Sequence, residues 1–339
     1  MLQLLFNLIL SSGIYPQAWT LGVIVPLHKK GSVDQPCNYR PITLLDVCGK
    51  IFSKILCSRL TEWATHENKI SWEQAGFRKG FQTIDNIYII SAVIRKYLAL
   101  HKGRLYCAFI DFKAAFDSVS HSGLLYKLWV GNVKGRVFNV IRNMYKNVKA
   151  CVSLQQGYTE FFDCAFGVRQ GCQLSPFLFS FFINDIVQYL GEDNQWSISI
   201  GMIQLFILSF ADDIIILDSS VVGLQKRLDK LSTYCDKWQL LVNSDKSKVI
   251  IFRKGGRLRK YEKFYFKKDN LEIVSSYKYL GVQLSSSGSW YQAQKTLTYQ
   301  ANKALQCIRS SMTYFNKLPL HVQLHIFDVK VMPILTYGS

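Results

Sequence analysis

The sequence is short of negative charge. Its 339 residues include 23 Asp and Glu against 41 Lys and Arg, so the formal net charge is +18 and the pI is near 9.5. The excess is greatest in residues 251–339, where 14 basic residues stand against 4 acidic ones. A chain this long and this basic is unlike a small binding module, and the imbalance predicts a polyanionic partner.

Paired cysteines and long apolar runs are also missing. Nine cysteines are scattered without a Cys-x-x-Cys spacing, which argues against a disulfide framework or a zinc site. We therefore expect reduced thiols and a nuclear or cytoplasmic protein. The apolar run 1–10 is too short to cross a bilayer and has neither a charged leader nor a cleavage site, so no membrane or secretory segment is expected.

The remaining composition is that of a folded protein. Hydrophobic residues make up 49% of the chain, which excludes disorder as the main state and predicts two or three compact lobes. Periodicity and Gly or Pro breakers predict helices near residues 1–12, 44–67, 84–100, 121–130, 134–146, 176–190, 221–238, 290–312 and 318–331. Strands are predicted at 21–27, 105–110, 151–154, 161–165, 203–209, 214–217, 248–252, 263–267, 271–275 and 278–284. This mixed order is typical of an α+β fold.

One helix start is marked by a specific residue pair. Ser175 followed by Pro176 predicts an N-cap and a proline at the first helical position, the favoured combination for opening a helix.

Two adjacent carboxylates interrupt an apolar stretch. Asp212 and Asp213 follow Ile-Leu-Ser-Phe-Ala and precede Ile-Ile-Ile-Leu, a pattern that predicts a hairpin with acids at its tip. Burying neighbouring like charges is costly unless a cation or donor lies nearby. An exposed turn is the ordinary interpretation of an Asp-Asp pair, but the apolar flanks favour a charged site.

A further acid stands at the end of another predicted strand. Asp111 follows the apolar run 105–110, and it would converge with Asp212 if the two strands were neighbours. Carboxylate oxygens suit Mg²⁺, and two such ions about 3.5–4 Å apart can stabilise both oxygens of an in-line phosphoryl transfer. Taken alone, an Asp at a strand end is more often a cap or turn residue.

Basic and aromatic residues alternate between Arg253 and Lys268. The segment has eight basic residues and one acid, interleaved with Tyr261, Phe264, Tyr265 and Phe266. Such a pattern suits a nucleic-acid backbone with bases stacked on rings. A hairpin with a solvated basic face fits equally well.

In order along the chain, eight blocks resemble the reverse transcriptase of non-LTR (LINE-type) retrotransposons. They are Tyr15-Pro16 with Trp19, Val25-Pro26 and Lys29-Lys30-Gly31; Asn38–Ile42 with Leu44-Leu45 and Lys50-Ile51; Gln74–Gly80; Phe109–Val119; Gly167–Pro176; Phe210–Asp213; Trp238–Asn243 with Lys246; and Tyr279–Val282. Any single block is weak evidence, but eight in order are strong. Phe210 stands where Tyr is commoner in this family, a change that should leave the acids in place.

The resemblance implies a right-hand polymerase with an antiparallel palm sheet flanked by helices. Its expected parts are fingers at 1–104, palm at 105–120, a fingers/palm connection at 121–160, palm at 161–285 and the start of a thumb at 286–339. The pattern still reads as ordered at residues 335–339, so we expect the thumb to be truncated. No nicking endonuclease or Cys/His knuckle is recognised, and a missing N-terminal region or another chain is expected to supply the endonuclease.

The resemblance also implies roles for individual residues. The catalytic acids are Asp111, Asp212 and Asp213, flanked by Ile110 and Phe112, and they are expected to bind two Mg²⁺, for which Mn²⁺ can substitute. Lys246 resembles the lysine proposed to protonate the leaving pyrophosphate. The expected nucleotide contacts are Lys29, Lys30, Arg40, Phe116, Gln170 and Gly171, with Arg78 and Arg169 as weaker candidates. The expected nucleic-acid contacts are Arg253, Lys254, Arg257, Arg259, Lys260 and the primer-grip residues Tyr279, Leu280 and Gly281.

Two of these roles have a plain physical basis. Phe116 would fill the space of a ribose 2′-OH and so favour dNTPs over NTPs, although a Phe without family context is usually a core residue. Gly171 lacks a Cβ and permits close backbone approach. For each basic residue taken alone, a solvated surface position is the default.

The implied activity is RNA-directed DNA synthesis. The expected partners are an RNA template, a DNA primer or nicked target DNA, and dNTPs. The alternative is an inactive retrotransposon remnant that only binds nucleic acid. An RNA-templated RNA polymerase shares the acids, but Phe116 disfavours it.

Overall fold

The computed structural model describes residues 1–191, 198–201, 203–312 and 314–338. Its helices are α1 Leu2–Ser12, α2 Val47–His66, α3 Thr83–Ala99, α4 His121–Val130, α5 Gly135–Met144, α6 Ser175–Ile183, α7 Ile186–Gly191, α8 Val221–Trp238, α9 Tyr291–Ser311, α10 Leu320–Lys330 and α11 Met332–Leu335. Its strands are β1 Leu21–His28, β2 Tyr39–Leu44, β3 Arg104–Ile110, β4 Lys149–Leu154, β5 Gly157–Tyr158, β6 Phe162–Asp163, β7 Ile198–Ile200, β8 Ile203–Leu205, β9 Ile207–Phe210, β10 Asp213–Asp218, β11 Lys248–Arg253, β12 Phe264–Phe266, β13 Asp269–Ile273, β14 Ser276–Tyr279 and β15 Val282–Ser285. The mixed order confirms the predicted α+β class.

The chain forms two compact units. The first unit comprises Met1–Phe77, Phe112–Glu192 and Lys230–Val242. The second comprises Arg78–Asp111, Asp193–Asp229 and Asn243–Ser339. The chain therefore passes between units several times, once at the peptide bond between Asp111 and Phe112.

A small sheet organises the first unit. Its order is β2-β1-β4-β5, with β6 also paired to β4. β1 is antiparallel to β2 and parallel to β4. An aromatic cluster of Phe6, Tyr15, Trp19 and Phe52 packs α1 and α2 against the start of β1, with ring centroids 5.4–6.4 Å apart.

A six-stranded sheet of order β12-β13-β11-β3-β10-β9 organises the second unit. β3 lies at its centre, and all its residues after Arg104 are buried, as a continuous apolar run predicts for a strand covered on both faces. α3 and the hairpin β14–β15 add Ile90, Ile94, Tyr279 and Leu284 to the core around β3.

Three predicted segments are divided. Residues 203–209 form β8, which pairs with β7, and most of β9, which pairs with β10. Residues 278–284 form two strands, because Leu280 and Gly281 have φ of 43° and 88° and make the two-residue turn that a tight hairpin requires. The helix predicted from 176 to 190 is interrupted at Asn184. That amide accepts a hydrogen bond from the Ser71 N–H at 2.7 Å and donates to the Lys69 carbonyl at 2.9 Å.

Two predicted helix starts are wrong. Ser175 is not the N-cap of α6, because Leu174 already has helical backbone angles and Ser175 lies buried inside the first turn. Leu44 does not begin a helix. It ends β2 opposite Val23 of β1, and α2 begins only after Asp46, whose carboxylate accepts a hydrogen bond from the Gly49 N–H.

Two further expectations concern thiols and membranes. The eight cysteines whose side chains the structure describes are not linked to one another by disulfides. In the described part of the chain, no helix is both long and apolar enough to cross a membrane.

Candidate active site

The end of β3 and the start of β10 bring the acids of the second unit together. β3 is antiparallel to β10, and Ile110 is paired with Ile214. Asp111 follows Ile110 and Asp213 precedes Ile214, so both acids stand at the same end of this strand pair. The strand before Asp111 therefore lies beside the acidic hairpin, which is the condition under which Asp111 and Asp212 were expected to converge.

Asp212 lies in the turn of the β9–β10 hairpin. Phe210 pairs with Asp213, which leaves Ala211 and Asp212 as the two turn residues. Ala211 has a φ of 58°, the left-handed region that non-glycine residues seldom adopt. The tight turn thus places two carboxylates side by side at the end of a buried hairpin.

A turn at residues 243–247 fixes Asp111 and brings a cation to it. The Asn243 N–H donates to the Asp111 carbonyl at 2.8 Å, and the Asp111 N–H donates to Ser247 Oγ at 3.0 Å. Lys246, on the same turn, places its Nζ 3.9 Å from Asp111 Oδ2 and is 71% exposed. The sequence placed Lys246 at this site, but it did not identify Ser247.

Electrostatic repulsion is visible in the pKa values of the acids. Loss of hydration, followed by the charges of Asp212 and Asp111, raises the pKa of Asp213 to about 6. The pKa of Asp212 is raised by burial and by Asp111, while its own backbone N–H opposes the shift. Burial and the nearby acids also raise the pKa of Tyr277 to about 12. The site therefore gathers more negative charge than Lys246 offsets.

The donor chemistry fits a divalent cation. Carboxylate oxygens are hard ligands, and a bound cation would relieve the repulsion that raises the pKa values. Within the described ranges, however, no group of three or more His, Cys, Asp or Glu side chains is positioned so that it could hold a metal ion.

Aromatic and amide side chains pack against the strands that carry the acids. Phe109 of β3 is buried and stacks on Tyr277 at 4.5 Å, with Tyr279 at 5.8 Å. Asn86 of α3 is 2% exposed and its Nδ2 donates to the Ser209 carbonyl and to the Tyr279 hydroxyl, both at 3.2 Å. Sequence reasoning missed Asn86, although a polar residue on the buried face of an apolar helix was a usable signal.

The predicted primer-grip turn is anchored by the end of the described chain. The Tyr337 hydroxyl donates to the Leu280 carbonyl at 2.8 Å and pairs with Thr83 Oγ1 at 2.8 Å. A Cβ on Gly281 would lie 3.0 Å from the Tyr337 ring. Tyr337 therefore binds the Leu280 carbonyl of this left-handed turn and leaves little room for a side chain at Gly281.

In the first unit, Phe116 is a rigidly supported ring. It stacks on Phe179 at 4.4 Å with an angle of 19° and meets the edge of Phe77 at 6.1 Å. Phe116 is only partly buried, so part of the residue remains accessible to solvent.

Asp117 orients Gln170 in the first unit. The Gln170 Nε2 lies 2.9 and 3.1 Å from the two carboxylate oxygens of Asp117. An ionised carboxylate only accepts hydrogen bonds, so the amide must turn its nitrogen inward and present its oxygen. Burial raises the pKa of Asp117, while Gln170 and the charge of Lys29 oppose the rise. Asp117 was not among the predicted site residues, although it belongs to the same block as Asp111.

Position 171 has no room for a side chain because strand β2 lies against it. Its φ is 126°, and a Cβ would lie 2.4 Å from the Thr43 carbonyl oxygen. The Thr43 N–H also donates to the Gln170 carbonyl at 2.7 Å. The close approach that the glycine permits in this structure is therefore to β2.

The basic residues that were predicted to contact the nucleotide lie at different positions in the two units. Lys29, Lys30 and Arg40 are exposed on the β1–β2 hairpin of the first unit. Arg169 donates to the carbonyls of Trp19 and Thr20 at 2.7 and 2.5 Å, which ties it to the start of β1. The remaining candidate lies in the second unit, where the Arg78 guanidinium stands 4.3 Å from the Phe81 ring centre.

Sequence comparison gives a consistent picture. A family described as "Reverse transcriptase (RNA-dependent DNA polymerase)" matches residues 27–284. The "Probable RNA-directed DNA polymerase from transposon BS" of Drosophila melanogaster is 28% identical over 99% of this chain and 37% of its own length. A "Retrovirus-related Pol polyprotein from type-1 retrotransposable element R2" of Nasonia vitripennis is 28% identical over 84% of this chain and 28% of its own length. The chain thus spans only 28–37% of the length of these two relatives.

Solved structures share the fold. Apo telomerase from Candida tropicalis, truncated from its C-terminal domain, superposes with a TM-score of 0.55 at 16% identity over 84% of this chain and 58% of its own. Telomerase of the same organism in complex with a fragment of telomeric RNA gives 0.57 at 15% identity, over 89% of this chain and 52% of its own. At these identities the likeness concerns the fold alone, which is that of a right-hand polymerase.

Proposed function

Since this chain belongs to the reverse transcriptase family, we propose that it is an RNA-directed DNA polymerase derived from a non-LTR retrotransposon. It would extend a primer 3′-OH, on a DNA primer or nicked target DNA, with dNTPs along an RNA template. The observation that supports this function best is the convergence of Asp111, Asp212 and Asp213, with Lys246 beside them, at one end of the β3–β10 pair.

Polymerases of this family depend on divalent metal ions. We propose Mg²⁺, with Mn²⁺ as a substitute, held by Asp111, Asp212 and Asp213. The backbones of Ile110 and Phe112 flank the site. Two bound ions would stabilise charge on the attacking and leaving oxygens of an in-line displacement.

The protein side chains have their own proposed tasks. Lys246 is exposed and close to Asp111, so it is free to give a proton to the leaving pyrophosphate. Phe116, backed by Phe179, is proposed to exclude a ribose 2′-OH. Gln170, with its amide oxygen presented by Asp117, is proposed to contact the incoming nucleotide.

Further contacts are proposed for the exposed cations and the hairpin. The residues proposed for the triphosphate are Lys29, Lys30 and Arg40. Gly171, Arg78 and Arg169 are proposed as further nucleotide contacts. The turn at Tyr279, Leu280 and Gly281 is proposed to bind the primer end. In this proposal the fingers take 1–104 with a connection at 121–160, the palm takes 105–120 and 161–285, and a thumb begins at 286.

Primer extension tests the proposal. The assay uses a poly(rA)/oligo(dT) template–primer with dTTP and Mg²⁺, and compares the wild type with Asp212→Asn and with Asp328→Asn, an exposed acid on α10. We expect extension by the wild type and Asp328→Asn, none by Asp212→Asn, and none after chelation of the metal.

No extension by the wild type, with salt-sensitive binding of the template–primer retained, would replace this proposal with the binding-only remnant. Efficient use of NTPs in place of dNTPs would identify an RNA polymerase instead.

A further inference from the structure

A loop of the second unit is built around one buried acid. We call residues 254–263 the basic cap. Glu262 is 3% exposed and accepts hydrogen bonds from the Arg104 guanidinium, from the Tyr106 hydroxyl at 3.1 Å and from the Arg259 N–H at 2.7 Å. The only acid of the cap thus points inward and is neutralised by β3.

The same contacts give the loop a defined path. The Arg104 guanidinium also donates to the Arg257 carbonyl at 3.2 Å. Gly255 and Gly256 have φ of 65° and 76°, which turns the chain back after β11. Arg104 therefore contacts both the buried acid and the backbone of the cap.

The outward surface of the cap is cationic. Its basic residues are all exposed: Lys254, Arg257, Arg259, Lys260 and Lys263. The cap therefore presents five positive charges and no negative charge, since Glu262 is buried.

Apolar groups lie among these charges. Leu258 is 44% exposed and Tyr261 59%, and Tyr265 on the adjoining strand β12 is 41% exposed. Rings between cations suit unpaired bases that stack while their phosphates are neutralised. A duplex, whose bases are already stacked, would leave the rings unused.

The cap lies far from the catalytic acids. It follows Arg253, which is paired with Arg104 at the start of β3, whereas Asp111 follows the other end of that strand. At about 3.3 Å per residue, the strand separates the two ends by about 20 Å. A strand bound at the cap is therefore bound away from the reacting 3′ end.

We propose that the basic cap is a separate binding site for single-stranded RNA. This site goes beyond the polymerase activity, and its binding does not require nucleotide addition. Only the choice of RNA over DNA rests on the proposed function, because the proposed template is RNA.

The test measures binding by fluorescence anisotropy. The probe is a labelled oligo(U) of about 20 nucleotides, titrated over a range of salt with the full chain and a triple variant, Lys254→Gln, Arg257→Gln and Lys260→Gln. A matched control removes three exposed charges from the first unit: Lys54→Gln, Arg59→Gln and Lys146→Gln. Because each phosphate contact on a single strand adds about 0.7 to the salt slope, the cap variant should lower the slope by about 2 and weaken binding by up to about 100-fold at 0.1 M salt.

A second variant separates a shaped site from diffuse charge. Glu262→Gln raises the net charge by one, but it removes the carboxylate charge that pairs with Arg104 and replaces one of the two acceptor oxygens with an amide nitrogen. We therefore expect weaker oligo(U) binding despite the added charge. Thermal melts check that each variant is folded. If Glu262→Gln is unfolded, the test rests on the triple variant alone.

Several outcomes would overturn the proposal. They are an equal loss in the cap variant and the control, tighter binding by folded Glu262→Gln, and a cap-dependent preference for oligo(dT) or for duplex. Asp212→Asn should bind oligo(U) as the wild type does, so a failure of the polymerase proposal leaves this test intact.

Discussion

A buried lysine in the first unit gives a prediction whose size follows from its surroundings. Lys127 of α4 is 7% exposed, and its Nζ donates to Asp185 Oδ1 and the Phe182 carbonyl at 2.6 Å and to the Tyr234 hydroxyl at 2.8 Å. The ammonium also lies 3.9 Å from the Trp238 ring centre. Every donor is used, but the charge has lost most of its water.

This loss of water lowers the pKa of Lys127 from 10.5 to about 8, against the opposing attraction of Asp185. The folded-state pKa thus lies below the unfolded-state pKa. Between these values the unfolded chain binds more protons than the folded chain, so stability rises as the pH rises through this window. The full effect is about 3 kcal/mol, of which about 2 kcal/mol falls between pH 7 and pH 9.5.

The perturbation is Lys127→Met, which keeps an unbranched side chain, one heavy atom shorter, and removes its charge. Asp185 is 46% exposed, so water can solvate it once the ammonium is gone. We expect the free energy of unfolding of the wild type, relative to that of the variant, to increase by about 2 kcal/mol from pH 7 to pH 9.5. Buried thiols and tyrosines titrate in both proteins and cancel in this difference.

Urea unfolding followed by tryptophan fluorescence at both pH values measures this difference. Lys54→Met, at an exposed position on α2, is the control and should differ from the wild type by the same amount at each pH. A difference between the wild type and Lys127→Met that does not change with pH would refute the reasoning, because it would mean that the buried amine keeps its ordinary pKa.

Three further predictions concern the first unit. Phe116→Ala should raise NTP use relative to dNTP use by roughly 10- to 100-fold, measured as the ratio of kcat/KM values, because the ring that fills the 2′ position is removed; an unchanged ratio would contradict the gate. Asp117→Asn should raise KM for dTTP by about tenfold with a smaller change in kcat, because the Asn amide can both donate and accept and so no longer fixes the orientation of the Gln170 amide. A second variant, Asp117→Glu, should restore KM if the carboxylate sets this orientation. Gly171→Ala should destabilise the protein by about 1–3 kcal/mol more than Gly157→Ala does, measured by chemical unfolding. Both glycines have φ near 130°, but only Gly171 has a carbonyl oxygen 2.4 Å from the new Cβ. Equal decreases in the free energy of unfolding would show that β2 moves to accommodate the new methyl group.

Sequence patterns predicted an element correctly where a single local signal, such as an apolar run or helical periodicity, was strong. The apolar run before Asp111 and the apolar flanks of Asp212 were predicted as strands from their length and composition, and the structure has strands there, whereas their pairing was left as a condition. The family blocks located the same acids, and Lys246 beside them, without any coordinates. Helices α3 and α8 were predictable because their apolar residues recur at helical spacing.

Only the tertiary structure decided which polar groups face each other. Nothing local shows that Asp117 binds Gln170, that Asn86 joins Ser209 to Tyr279, or that Glu262 shapes a cationic loop. The break after Ile183 has the same origin. Periodicity reports which side of an element is buried, whereas a hydrogen bond depends on a partner brought close by folding, and that partner can be more than 100 residues away along the chain.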